Sequence, residues 1–526
     1  MTAKIKNKQA QIEPVEVVQG EELYQAIFNV LDEHGKGTIH KHQLLNALKE
    51  QGILESDPRI KETTQALALL SDGEAIDIER LRDIVRPNIS LIERTIKRNL
   101  IIPDFKAFTN QIKAIFTKVS ANKNGVVASY IPQLAKVNPE HFAVAVCTID
   151  GQVFCTEEAD IPYCVQSTCK PVNYCIALEL NGEDKVHQHI GREPSGQSFN
   201  AISLNNKGLP HNPLINAGAI LACSLIKNDE PLSDRFDHVM SMWTSLTGGI
   251  TPGFNNSVYL SEKDTADRNF ALAYFMREKK SFPAGVSIQD TLDFYFQCCS
   301  IELTARSQAH VAATLAHAGV SPSSGRKILN SNTVKDCLSL MYSCGMYDFS
   351  GEYAFTVGLP AKSGVSGALM IVVPGVAGIT VWSPRLDEMG NSVRGIEFSK
   401  ELVKLFNFHN YDGISGHTDK IDPRRTRSEF AIDTTFSLIW AASQGDINEI
   451  RRLIAYGIDL NKGDYDGRTA LHLAAAEGQL ETVAYLLKKD VEINPRDRWD
   501  GTPLTDAKRH KHADVATLLE QQGGIE

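Results

Sequence analysis

A chain of 526 residues is too long for one ordinary hydrophobic core, so two to four domains are expected. Its 42% hydrophobic share is that of a globular protein, and a formal charge of −10 argues against a dedicated nucleic-acid or anionic-membrane binder. No apolar run reaches the length of a membrane span, since the best candidate breaks at Pro374-Gly375.

Met1 to Gly20 is polar with mixed charges. It shows no apolar leader core, and Glu13 and Glu16 interrupt any acid-poor transit pattern. Residues 1–19 read as a disordered tail. All ten cysteines fall between Cys147 and Cys344 without Cys-x-x-Cys spacing, so a zinc site is not expected, and no cofactor is expected for the chain. A reduced, cytoplasmic protein is the expectation. Residues 20–98 are rich in helix formers with helical periodicity, as in Leu23-Ala26-Ile27-Val30-Leu31. Between two such helices, Asp32 to His40 has the Gly and Ile placement of an EF-hand loop. His34 and Lys36 stand where oxygen ligands belong, and Gln43 replaces the bidentate Glu. A helix-loop-helix region that binds no calcium follows, with a second degenerate loop at Ser71-Asp72-Gly73-Glu74. Residues 99–123 read as a helical connector.

Residues 124–412 read as one α+β domain with an antiparallel sheet and helices around it. Phe142–Ile149 and Gln152–Cys155 flank Asp150-Gly151, a hairpin signal. Next comes Gln166-Ser167-Thr168-Cys169-Lys170-Pro171. Pro171 fits a helix only in its first turn, so a helix starts near Ser167 and stops at Asn181-Gly182. Ser167 and Lys170 then share a face, with the hydroxyl at the positive end of the helix dipole. Taken alone, such a serine is commonly only a cap. After a long, mostly helical middle, strands are expected from Phe355 to Trp382. Lys362-Ser363-Gly364 enters the first of two buried strands joined at Pro374-Gly375, and a helix lies near Ser399–Phe406. Ser-x-x-Lys followed late by Lys-Ser-Gly resembles the serine acyl-transfer enzymes of the β-lactamase and penicillin-binding class.

Residues 413–430 are polar, charged and Pro-containing, a linker by composition, with Thr418-Asp419-Lys420-Ile421-Asp422-Pro423 at its centre. Residues 431–524 carry a repeat. Asp466-Gly467-Arg468-Thr469-Ala470-Leu471-His472-Leu473-Ala474 resembles the ankyrin signature, and Asp500-Gly501-Thr502-Pro503-Leu504 restarts it. Phe436 to Asp446 is a partial copy that reads as an N-terminal cap. Three repeats make an all-α solenoid whose exposed surface is expected to meet a protein partner.

Further blocks surround the Ser-x-x-Lys tetrad: Tyr130-Ile131-Pro132-Gln133-Leu134, Glu193-Pro194-Ser195-Gly196, His211-Asn212-Pro213-Leu214-Ile215-Asn216-Ala217-Gly218-Ala219, and Lys362 to Gly367. With them the chain resembles the serine-dependent glutaminase family, and its flanking regions resemble the long kidney- and liver-type members. The resemblance implies hydrolysis of the L-glutamine side-chain amide to glutamate and ammonia. It implies Ser167 as nucleophile, Lys170 as its base partner and Tyr347 as a second proton carrier. The order in which Lys170 and Tyr347 act is left open. The backbone N–H groups of Ser167 and Val365 are implied as the oxyanion hole. Glu262 would take the substrate α-ammonium, and Asn216, Asn269, Tyr295, Tyr130 and Gln166 would supply neutral groups. Read singly, Asn216 is a turn residue, Glu262 a surface acid and Tyr295 a core aromatic. The loop Gly196 to Leu204 corresponds to the family's gating loop. Kidney-type members carry Lys and Phe where Ala201 and Ser203 stand here, which puts phosphate activation and inhibitor sensitivity at that loop in question. The polar N-terminus suggests a bacterial or otherwise cytoplasmic relative. A homo-oligomer, dimer or tetramer, is expected, with neither nucleic acid nor membrane as partner. The alternatives are another Ser-x-x-Lys acyl hydrolase and an ankyrin scaffold with a dead enzyme domain.

Overall fold

The structure is a computed structural model. It describes residues 16–32, 35–197, 201–414, 419–425, 427–455, 458–489 and 491–526. His34, the centre of the gating loop at Ser198-Phe199-Asn200, and His417-Thr418 of the linker lie outside the described residues. The chain divides into two compact units, one through Asp412 and the other from Gly413.

Among the described residues, eight short strands organise the first unit. They are β1 (Ala143–Thr148), β2 (Val153–Cys155), β3 (Tyr163–Cys164), β4 (Gly253–Phe254), β5 (Ile301–Leu303), β6 (Ala361–Ser363), β7 (Ala368–Val373) and β8 (Ala377–Trp382). Five form an antiparallel sheet in the order β2-β1-β8-β7-β6, and β3-β5-β4 make a small second sheet. The β1–β2 hairpin turns at Asp150-Gly151, with Cys147 opposite Val153.

Alternation along β1 decides the layers. Val144 and Val146 face one core with helices Phe105–Ser120 and Val393–Leu405, while Ala143, Ala145 and Cys147 face helix Ala305–Ala316. Small residues on that second face let the helix lie very close. A Cβ added at Gly378 would stand 2.1 Å from the Ala313 nitrogen and 2.4 Å from the Ala309 oxygen. A helix–sheet–helix sandwich results. Helix Phe105–Ser120, read as a connector, is one of its layers and buries Phe105, Phe108, Ile112, Ile115 and Val119.

The end of the sheet departs from expectation at two points. Phe355 lies in helix Ser350–Thr356, not in a strand. Lys362-Ser363 occupies its own edge strand, β6, instead of entering the first long one. Gly367, at φ +89°, makes the turn that separates them, and a Cβ there would meet the Ser383 carbonyl at 2.3 Å.

In the helical region before the sheet, Ile39 and Ile76 exchange N–H···O bonds at 2.9 and 2.8 Å, joining the two degenerate loops. Asp32, the first ligand position, accepts the N–H groups of Lys36 and Gly37, and the Gln43 carboxamide accepts from the His40 N–H and donates to the Leu31 carbonyl. Those side chains close the loop themselves. The region also grips the β1–β2 hairpin. Arg59 donates to the Asp150 and Gly151 carbonyls, and Gln152 bridges Gln51, Ile102 and the turn. The Gly52 carbonyl accepts from the Val153 N–H, covering the sheet edge. The first helix starts at Glu16, inside the stretch read as a tail.

Among the described residues the second unit holds three helix pairs: Arg427–Gln444 with Ile447–Ala455, Ala470–Ala476 with Leu480–Leu487, and Pro503–Arg509 with Ala513–Gln521. Arg427 lies inside the segment read as linker, so helix begins there earlier than composition suggests. Thr502 caps its helix through the Thr505 N–H, while His472 Nδ1 accepts from the Thr469 N–H and Nε2 reaches the Gly501 carbonyl.

Candidate active site

Val165 leaves β3 and the chain turns sharply through Gln166-Ser167-Thr168, one turn of 3-10 helix, into helix Cys169–Asn181. Pro171 sits in its first turn, and Gly182, at φ +77°, ends it. N–H groups in such a first turn have no intrahelical acceptor, and that of Ser167 sits at the positive end of the dipole. Gln166 is forced to φ +48° and Tyr347 to φ +54°. A side chain in that region costs ~1–3 kcal/mol, so the surrounding contacts must hold both residues.

The tetrad is deeply placed. Lys170 is 1% exposed, and burial holds its ammonium below the usual lysine range. Its Nζ donates to Asn216 Oδ1 at 2.7 Å. Asn216 leads helix Asn216–Ser224, its Nδ2 donates to Asn269 Oδ1 at 3.3 Å, and the Tyr295 hydroxyl reaches Asn216 Oδ1 at 3.5 Å. The Tyr130 hydroxyl donates to Glu262 Oε1 at 2.5 Å and lies 3.2 Å from Gln166 Oε1. Burial raises the Glu262 carboxyl above the ordinary glutamate range, while hydrogen bonds from Tyr130 and Gln166 and the charge of Lys170 pull the other way. Tyr130 keeps 51% of its surface exposed although its hydroxyl is turned into this group.

Tyr347 closes the set. Its phenol is buried, hydrogen-bonds to Ser167, and is pushed up by burial, so it stays protonated. The Tyr347 carbonyl accepts from Ser350 Oγ, which in turn accepts the Met346 N–H. Val365 stands in the β6–β7 turn, and among the described residues its N–H makes no hydrogen bond. Gly364 presses this turn against the serine turn: a Cβ there would lie 3.0 Å from the Val165 carbonyl and 3.2 Å from Thr168 Cγ2.

Hydrogen bonds join Lys170, Asn216, Asn269 and Tyr295 in one group and Tyr130, Glu262 and Gln166 in another, Ser167 lies between them in the serine turn, and Val365 comes near through its neighbour Gly364. Lys362 was read only as part of a motif. It is fully buried, donates to the Ser363 carbonyl at 2.7 Å, and holds its Nζ 4.5 Å from the centre of the Tyr347 ring. Burial, and then repulsion from Lys170, push its ammonium well below the usual range. Tyr163 and Gln308 beneath the serine turn went unread. The only signal was a Gln inside the alanine-rich stretch Ala305 to Ala316.

A buried Ser-x-x-Lys at a helix start, with a phenol on the serine and a Lys-Ser-Gly edge strand beside it, defines a serine acyl hydrolase of β-lactamase-like fold. Comparison with known proteins narrows the class. A sequence model of the glutaminase family matches residues 125–411, one of ankyrin repeats (3 copies) matches 399–497 and 438–526, and one of an EF-hand domain matches 23–103. The mouse protein named glutaminase liver isoform, mitochondrial, is 45% identical over 492 residues, which are 92% of this chain and 82% of the relative. Putative glutaminase 3 of Caenorhabditis elegans is 46% identical over 95% of this chain and 88% of its own length. A solved structure described as probable glutaminase ybaS superposes with a TM-score of 0.55 at 35% identity, covering 58% of this chain and 98% of that one. The chain belongs to the glutaminase family. The same comparison corrects the expectation of a cytoplasmic protein, because the mammalian relatives matched over nearly the whole chain are mitochondrial isoforms. That expectation rested on the polarity of Met1 to Gly20, and these relatives are longer than the chain compared with them.

Proposed function

We propose that this chain hydrolyses the side-chain amide of L-glutamine through an acyl-enzyme on Ser167. The observation that carries the reading is a buried Lys170 at the start of the serine's own helix, with the Tyr347 phenol on Ser167. Ser167 Oγ attacks the amide carbon. The buried amine of Lys170 is the better proton acceptor and the Tyr347 phenol the better donor, since burial lowers one and raises the other. The tetrahedral oxygen takes the N–H groups of Ser167 and Val365, each donor typically worth ~3–4 kcal/mol. Ammonia leaves with a proton relayed through Tyr347, and water then opens the γ-glutamyl ester. Glu262 pairs with the α-ammonium. Asn216, Asn269, Tyr295, Tyr130 and Gln166 orient the rest.

Residues 124–412 do the chemistry in this reading, residues 20–98 brace it, and residues 431–524 offer a partner surface. A homodimer or tetramer is the proposed assembly. The test is release of ammonia and glutamate from glutamine by the wild type and by Ser167→Ala. The variant should keep its circular dichroism and fall below roughly a hundredth of wild-type turnover, as expected when an acyl nucleophile is lost. Turnover above that level removes Ser167 from its role. Nitrocefin hydrolysis without ammonia release would instead favour the β-lactamase-like alternative.

A further inference from the structure

In the proposed reading the oxyanion hole is made by two turns far apart in sequence, and a chain of buried contacts joins them. Thr168 follows the nucleophile and is fully buried. Its Oγ1 donates to the Val165 carbonyl at 2.7 Å and accepts from Gln308 Nε2 at 2.7 Å. Gln308 Oε1 accepts from the Tyr163 hydroxyl at 2.5 Å. The Tyr163 ring stacks on Trp382, with centres 5.0 Å apart and planes at 16°. Trp382 Nε1 donates to the Ser366 carbonyl at 3.0 Å, and Ser366 follows Val365. Gly364 packs on Thr168 and returns the circuit to its start.

Each side-chain oxygen and nitrogen of Thr168, Gln308 and Tyr163 makes at least one hydrogen bond, and all three side chains are buried. Such a hydrogen-bonded buried network, replaced by apolar groups of the same shape, is close to neutral for stability. Its distinctive contribution is geometric.

We propose that Tyr163, Gln308, Thr168 and Trp382 form a closed clamp that sets the width of the oxyanion hole, with Gln308 as the central positioning residue. The clamp rests on the glutaminase reading given above. It touches neither Glu262 nor Asn269, so it governs the transition state and leaves substrate binding alone. Gln308 lies on the helix that packs against Gly378, so the whole sheet backs the clamp.

The test uses the full-length triple variant Tyr163→Phe, Gln308→Met, Thr168→Val. Its kcat should drop roughly tenfold or more, the scale of a weakened oxyanion donor, while KM stays within about twofold. Labelling of Ser167 by a serine-directed phosphonate should slow in parallel, since the tetrahedral adduct fills the same hole. That readout holds even if wild type fails to release ammonia from glutamine, a result that would count against the substrate reading and not against the clamp. Gln308→Glu adds a pH readout. Only its protonated form can both accept from Tyr163 and donate to Thr168, so its labelling rate relative to wild type should recover toward acid pH. A folded triple variant that labels at the wild-type rate overturns the clamp, as does a loss seen only in KM. If the triple variant does not fold, Tyr163→Phe alone decides by the same criteria.

Discussion

The serine turn and the ankyrin repeats both start helices with hydroxyl residues, and they are held in opposite ways. In the repeat, Thr469 and His472 satisfy each other three residues apart, and one further bond to Gly501 links the next repeat. At the serine turn the partners come from far away: Gln308 is 140 residues from Thr168, Glu262 is 132 from Tyr130, and Asn216 is 46 from Lys170. Local bonding confines damage to the repeat that suffers it. Long-range bonding makes the catalytic turn answer to the packing of the whole sandwich.

The sharpest way to break that contrast is a change remote from the cavity. Gly378→Ala places a methyl against the backbone of helix Ala305–Ala316, and overpacking of that kind costs ~3 kcal/mol or more where neither side can yield. The expected result is a thermal midpoint lowered by several degrees and a reduced kcat in whatever folds, because the displaced helix carries Gln308. A wild-type midpoint would show that helix and sheet are less tightly joined than described.

Glu262→Gln should lower kcat/KM roughly a hundredfold, mostly through KM, the worth of a charge-assisted bond of ~3 kcal/mol. Burial raises the carboxyl, so the wild type should lose affinity for glutamine on acidification above the ordinary glutamate range, and the variant should lose that limb of the profile. The stability sign is opposite. A carboxyl raised by burial favours the folded state when protonated and costs stability as pH rises through its folded pKa. At neutral pH the Gln variant should therefore melt no lower than wild type. Unchanged kinetics across that range would place Glu262 outside the pocket.

His472→Ala tests the repeat side. Losing two buried hydrogen bonds should destabilise the repeat unit by ~1–3 kcal/mol and leave kcat untouched. Scanning calorimetry alongside steady-state kinetics separates the two readouts, and a loss of turnover would end the contrast. The smallest effect is expected from ending the chain after Tyr411. With every proposed catalytic residue retained, kcat should stay within about threefold, ~0.7 kcal/mol in the barrier. Oligomer size by light scattering is free to change. A soluble, correctly sized truncation without activity would make the repeats part of the enzyme.

The same contrast governs what was legible in the sequence. The repeats were readable because Thr-x-x-His fixes its own geometry over a few residues. The serine helix was readable from Pro171 and Gly182, and the β1–β2 hairpin from Asp150-Gly151, each a local backbone rule. Ser167 and Lys170 stood out by their spacing, whereas the other proposed site residues came only from the family resemblance, since spacing alone leaves Asn216, Glu262 and Tyr295 looking ordinary. Lys362 in a separate edge strand escaped because periodicity cannot distinguish one strand from two divided by a glycine turn. Tyr163 and Gln308 escaped because buried polar partners 145 residues apart leave no pattern in either segment.

The grip of Arg59 and Gln152 on the hairpin bears on how the enzyme can be taken apart. Asp150 receives the Ile101 N–H, Arg59 holds two turn carbonyls, and Phe105 fills the space beside Gly52. A cut placed between residues 99 and 123, where composition suggests a seam, would strip an outer layer from the sheet and leave several hairpin groups without partners. For domain exchange or crystallisation of a minimal enzyme, the helical region and the hydrolase are one mechanical piece, and the natural place to divide this protein is beyond Asp412.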